Sequence, residues 1–175
     1  MPGSRRLSQR ISEGDGIAII ARVSDADSAR RAEEQGAKAI AVDRAIDGIR
    51  SATSLPLLWI GDGPVVDADA LTIRHDDEVD HHELETVVDV RDDEELERAL
   101  DQLDPEMFLL AARHGNGDDD PLETVLELLP DVPAGKLAIA DVEVTKRADV
   151  LALERAGIDA VLVRAAHVAE LTGAP

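Results

Sequence analysis

The sequence predicts an α/β chain folded as a minimal (β/α)8 TIM barrel with several shortened or missing helices. Three observations predict it. Eight apolar segments of strand length alternate with helix-patterned or polar segments, as parallel βαβ units require. The connections are short, so each unit takes about 20 residues, below the usual barrel size range. Hydrophobic residues make up 44% of the 175 residues but aromatics only 1%, so the core is aliphatic. That suits a parallel sheet buried on both faces. Residues 1–15 are read as an N-terminal tail or short helix, and 16–175 as a single compact barrel domain. A six- or seven-strand open sheet is the structural alternative.

The elements follow in order. Leu7 and Ile11 in the polar first segment are at helical spacing, and that helix would lie across the barrel bottom. Ile17–Val23 is the first strand by its β-branched run. Asp25 or Asp27 caps the helix after it, and Gly36 stops that helix. Ala37–Asp43 is the second strand and Arg44–Ala52 a short helix. Leu55–Ile60 is the third strand, with Pro56 at its start, where a missing N–H is tolerable. Gly61–Ala70 has room for one turn of helix at most, and Leu71–His75 is the fourth strand before the acidic run Asp76–Glu85. Thr86–Leu100, TVVDVRDDEELERAL, is a buried strand followed at once by an amphipathic helix. Glu106–Arg113 is the sixth strand, and Pro121 opens a helix to Leu129. Lys136–Val144 is the seventh strand. Thr145 is a candidate cap for the helix to Ala156, which Gly157 stops. Ile158–Val163 is the eighth strand and His167–Leu171 a final helical stub.

Composition excludes several classes of function. The net charge is −20, which repels phosphate backbones and anionic membranes, so neither nucleic acid nor membrane is expected as a partner. There is no cysteine, hence no disulfide or thiolate chemistry. No apolar run approaches membrane-spanning length and the N-terminus lacks a signal-peptide core, so the expected location is cytoplasmic. Gly61-Asp62-Gly63 and Gly115-Asn116-Gly117 match no nucleotide-binding fingerprint, and no cofactor is expected. His75, His114 and His167 follow the fourth, sixth and eighth strands. Together with Asp43, Asp76 or Asp141 they are weak candidates for a metal site on one face. The expected state is a monomer or a homodimer.

Three stretches carry a family resemblance: VVDVRDDEELERAL, then LAIADVEVTKRADVLALERAG at Leu137–Gly157, then IDAVLV at Ile158–Val163. Their order resembles the indole-3-glycerol phosphate synthase family. The resemblance implies a barrel whose ligand is a small phosphorylated molecule. Carried over residue by residue, it puts Asp89 at the family's fifth-strand glutamate. Ile19 and Ala21 take the places of its first-strand Glu and Lys, and Ile60 that of its third-strand lysine. Asp89 and Asp141 are then the candidate catalytic acids. Arg113 and Arg164 are the candidate anion-binding residues, at strand C-terminal ends with Asp62 and Arg91. Ile60 has no proton to give, so the expectation is a barrel that has lost synthase catalysis, a pseudoenzyme or small-barrel scaffold. Two alternatives stand beside it. One is an active lyase or isomerase of tryptophan-biosynthesis type using Asp89 and Asp141. The other is a dimeric interaction module covering apolar surface left by missing helices.

Overall fold

The computed structural model describes residues 6–13, 16–60, 68–74, 84–103, 105–111, 121–144 and 146–172. Eight strands are found among them: β1 (Ala18–Arg22), β2 (Ala39–Val42), β3 (Leu57–Trp59), β4 (Ala70–Arg74), β5 (Glu85–Val90), β6 (Met107–Ala111), β7 (Leu137–Asp141) and β8 (Ala160–Arg164). They pair in parallel in chain order, and β8 closes on β1. The expected (β/α)8 TIM barrel is therefore the fold, and the open-sheet alternative is excluded. The helices are α1 (Arg6–Ser12), α2 (Ala26–Glu34), α3 (Ile49–Ala52), α4 (Asp93–Gln102), α5 (Pro121–Leu128), α6 (Arg147–Ala156) and α7 (Val168–Thr172), with short 3₁₀ turns at Leu129–Asp131 and Ala165–His167.

Strand alternation sorts the side chains into two layers. Ile19, Ala21, Ile40, Val42, Val88, Val90, Phe108, Leu110, Val161 and Val163 pack outward among the helices. The inward set is Ala18, Ile20, Ala39, Ala41, Leu58, Ala70, Val87, Met107, Leu109, Ile139, Ala160 and Leu162. Five of those twelve are alanines, too small to fill a barrel at native packing density. Leu7 and Ile11 of α1 complete the same cluster from below, so α1 plugs the bottom, as the spacing of its apolar residues implies. Glu85 at the start of β5 fastens it. Its Oε1 accepts the Leu7 and Ser8 amides at 2.8 and 3.2 Å, and its Oε2 accepts the Ser8 hydroxyl.

Caps fix the helices. Asp25 caps α2, its Oδ1 accepting the Ser28 amide at 2.6 Å, and Gly36 leaves that helix with φ of 103°. Of the two aspartates the sequence offered, Asp25 holds the position; Asp27 is in the first turn. Lys146 occupies the N-cap position of α6 without a side-chain bond, and Thr145 is outside the described residues. Among the described residues no helix is long and apolar enough to cross a membrane. Leu103 and Leu151 are the exposed large hydrophobics there. The apolar patch that motivated an interaction module is thus not seen on β3, β4 or β8, whose outward Leu57, Leu71 and Val163 are buried.

Candidate active site

The inward-facing series ends in charge. Continuing the alternation past Ile20, Thr72, Val87, Ile139 and Leu162 brings Arg22, Arg74, Asp89, Asp141 and Arg164 to the C-terminal mouth of the barrel, where barrel chemistry is sited. The strand backbones are fixed on both sides, so these side chains project from rigid positions.

Asp89 and Asp141 both reach this mouth. Asp141 pairs with Arg22 at 2.6 Å. That arginine comes from β1, across β8. Asp89 receives Arg91 at 3.3 Å and Arg74 at 3.8 Å, both on Oδ2. Its Oδ1 is buried and has no hydrogen-bond partner among the described residues. Burial pushes the Asp89 carboxyl above the ordinary aspartate value. The Arg91 and Arg74 charges pull the other way, and the nearby Asp141 charge adds to the rise. Net, the proton is held more tightly than usual.

Arg74 is shared. Its Nη2 lies 2.5 Å from Glu95 Oε1, in the first turn of α4. Glu95 is buried, its own amide goes to Asp92 Oδ1 at 2.9 Å, and its Oε2 accepts the Arg91 amide at 2.7 Å. The run VVDVRDDEE thus makes a strand end and a capped helix start, with Glu95 tying both to β4.

Arg164 is the register partner of Arg22. It is largely exposed and lies 3.5 Å from the equally exposed Glu143. Arg113, His75, His114 and Asp62 lie outside the described residues. His167 sits in the turn after β8, partly exposed. Among the described residues no group of three or more histidines or carboxylates could hold a metal.

Sequence reading named Asp89, Asp141 and Arg164 but missed Arg22, Arg74 and Glu95. Arg22 and Arg74 each end a strand at the parity of its buried inward residues, a signal present in the sequence. Glu95, three residues beyond the cap Asp92, had the signal of a capping box.

No family model matches the chain. The solved structure of wild-type GGGPS (geranylgeranylglyceryl phosphate synthase) from Thermoplasma volcanium superposes with a TM-score of 0.70 at 12% identity, covering 95% of this chain and 96% of that one.

Three expectations are corrected by that match and by strand parity. The resemblance to indole-3-glycerol phosphate synthase does not identify the chain. Its motif, an aliphatic strand and an amphipathic helix with a cap at one end, Asp92 before α4 or Gly157 after α6, is what any such unit needs for packing. Ile19 and Ala21 face the helices, so the first-strand positions assigned to a Glu and a Lys do not face the mouth at all. The pseudoenzyme reading falls because it counted missing residues against that template. The alternative of a lyase or isomerase of tryptophan-biosynthesis type falls with it. What the comparison shows is the fold: a TIM barrel similar to that of GGGPS along nearly the whole of both chains.

Proposed function

We propose that this chain is an enzyme acting on a small phosphorylated molecule at the C-terminal mouth of the barrel. The observation that carries the reading is the pair Arg22 and Arg164, register partners on neighbouring strands in a chain of net charge −20. Two guanidiniums side by side repel each other unless an anion lies between or beside them. Here the acids of the β7 end do this duty: Asp141 takes Arg22, and Glu143 stands beside Arg164. The second contact is long and exposed, so solvent screens it heavily, and a phosphate can displace Glu143. Arginine suits this role through its fork of donors. The loops after the last two strands are also where phosphate commonly binds in this fold. Arg113 is proposed to add to the same anion site from the end of the sixth strand.

Asp89 supplies the proton chemistry in this reading. Its Oδ1 is buried and has no partner among the described residues, and its proton is held above the usual range by burial. Such a carboxyl, which holds its proton more tightly than a free aspartate, can give it to a reacting group and take it back. Asp141, fixed by Arg22, contributes negative charge that helps keep that proton in place. The similarity to GGGPS, a synthase whose name includes a glyceryl phosphate, supports a phosphorylated substrate without specifying it.

Calorimetric titration with inorganic phosphate and a panel of phosphorylated small molecules tests the reading. Binding should be weakened by added salt and by Arg164→Gln. If no phosphorylated compound binds the wild-type chain, the reading is wrong.

A further inference from the structure

We propose that Glu95 is a positioning residue for Asp89. By holding the Arg74 guanidinium, it keeps that arginine from closing on Asp89 and so leaves Asp89 Oδ1 without a donor from β4. The inference rests on the reading of Asp89 as the proton-transfer group.

The geometry is unequal in a way that needs a cause. Among the described residues Arg74 has these two carboxylates within 4 Å, yet stands 2.5 Å from Glu95 and 3.8 Å from Asp89. The second distance is about 1 Å beyond a charge-assisted hydrogen bond. Glu95 wins because it is immobile. It is 6% exposed, its amide is taken by Asp92, and its second oxygen accepts the Arg91 amide. Asp89 has no such anchorage. Its arginine contacts both fall on Oδ2, and Oδ1 points into buried space without a donor among the described residues. An unpaired buried carboxyl oxygen is expensive, and the Arg74 guanidinium one strand away could cover it by a shift of about 1 Å. Glu95 prevents this.

Among the described residues the charged groups facing Asp89 are Arg91 just past the end of its own strand, Arg74 on β4, Asp141 on β7 and, behind Asp141, Arg22 on β1. Glu95 acts from α4 through Arg74. Without Glu95, Arg74 closes on Asp89 and stabilises its charged form.

The test is a carboxyl-carbon NMR titration of Asp89 in the full chain, for wild type, Glu95→Gln, Arg74→Gln and the double variant. Glu95→Gln is expected to lower the Asp89 midpoint. Part of any such shift is the direct field of the lost Glu95 charge, and the Arg74→Gln background measures that part alone. A larger downward shift with Arg74 present than without it supports the proposal. Equal shifts in the two backgrounds, or none, overturn it. Glu95→Asp keeps the charge but shortens the reach by one methylene, so it too should lower the midpoint. It carries the test should Glu95→Gln not fold. No turnover is read, so a silent Asp89→Asn in assays would sink the proposed function while leaving this arrangement standing.

Discussion

Arg22 and Arg164 are register partners at the ends of β1 and β8, so two guanidiniums share one edge of the barrel mouth. The two strands run about 4.8 Å apart, and like charges directly opposed are unfavourable. The acids at and just past the end of β7 resolve the conflict unequally: Asp141 is 2.6 Å from Arg22, while Glu143 is 3.5 Å from Arg164. Arg164 is thus the more loosely paired of the two, and in the proposed function it is the one that meets the anion. Arg164→Gln should weaken binding of phosphorylated ligands and flatten its salt dependence, read by calorimetry at two salt concentrations. Its thermal melt should stay close to wild type, because an exposed ion pair contributes little to stability.

Asp89→Asn separates catalysis from stability. Asn approximates the protonated carboxyl, and burial above all makes the folded chain hold that form at Asp89 more readily than a free aspartate does. The variant should melt above wild type at neutral pH, and the gain should fade as the pH drops and the wild-type carboxyl protonates. Turnover of a phosphorylated substrate should be lost, since the amide cannot exchange a proton in the same way. A stabler and inactive variant is the signature of a strained functional group. Unchanged turnover would remove Asp89 from the chemistry.

What the sequence made legible divides along a physical line. Strand identity depends on local apolar runs, and all eight strands were placed from them. The helix start at Asp25 and the plug at Leu7 and Ile11 were readable too, because caps and helical spacing are local signals. The mouth was only half readable. Asp89, Asp141 and Arg164 ended recognised strands, but which face each residue occupies depends on parity around the closed barrel. A family template placed functional positions at Ile19 and Ala21, which face the helices. The inward residue of that strand end is Arg22. Glu95 carried the local mark of a helix start, three residues beyond Asp92, but its pairing with Arg74, 21 residues away in sequence and one strand over in space, leaves no such mark.

The barrel bottom should respond to α1. Leu7 is fully buried among inward alanines, which cannot collapse to fill the space it would leave. Leu7→Ala should cost about 2–5 kcal/mol, measured by chemical denaturation. Glu85→Ala should cost about 1–3 kcal/mol, because it strips the acceptor from two helix-start amides and a hydroxyl. Both variants should leave phosphate binding at the opposite face intact in the folded fraction. A change in affinity without loss of stability would mean that α1 communicates with the mouth.

Two carboxylates near the bottom titrate in opposite senses, and together they shape stability against pH. At Asp69 burial favours the neutral form, but the Arg50 bond, the Leu57 amide and the charges of Arg50 and Arg6 outweigh it, so its carboxyl lies below the usual range. The stability it contributes is full above the ordinary aspartate value and is lost as pH falls through the lowered one. Asp159 is the reverse. Burial raises it, with only the Ala138 amide at 2.8 Å opposing. Its contribution is present at low pH and is lost as pH rises from the ordinary value through the raised one. Asp159→Asn keeps the acceptor for Ala138 and removes the desolvated charge. It should therefore raise the melting temperature near neutral pH and make no difference at about pH 3, below the ordinary aspartate value. Asp69→Asn should do the opposite at neutral pH, lowering the melting temperature by removing the charge that Arg6 and Arg50 pair with, and its deficit should shrink on acidification. Melts of both variants across the pH range decide the matter: a benefit from Asp159→Asn that persists in acid would show that packing, not charge, governs that position.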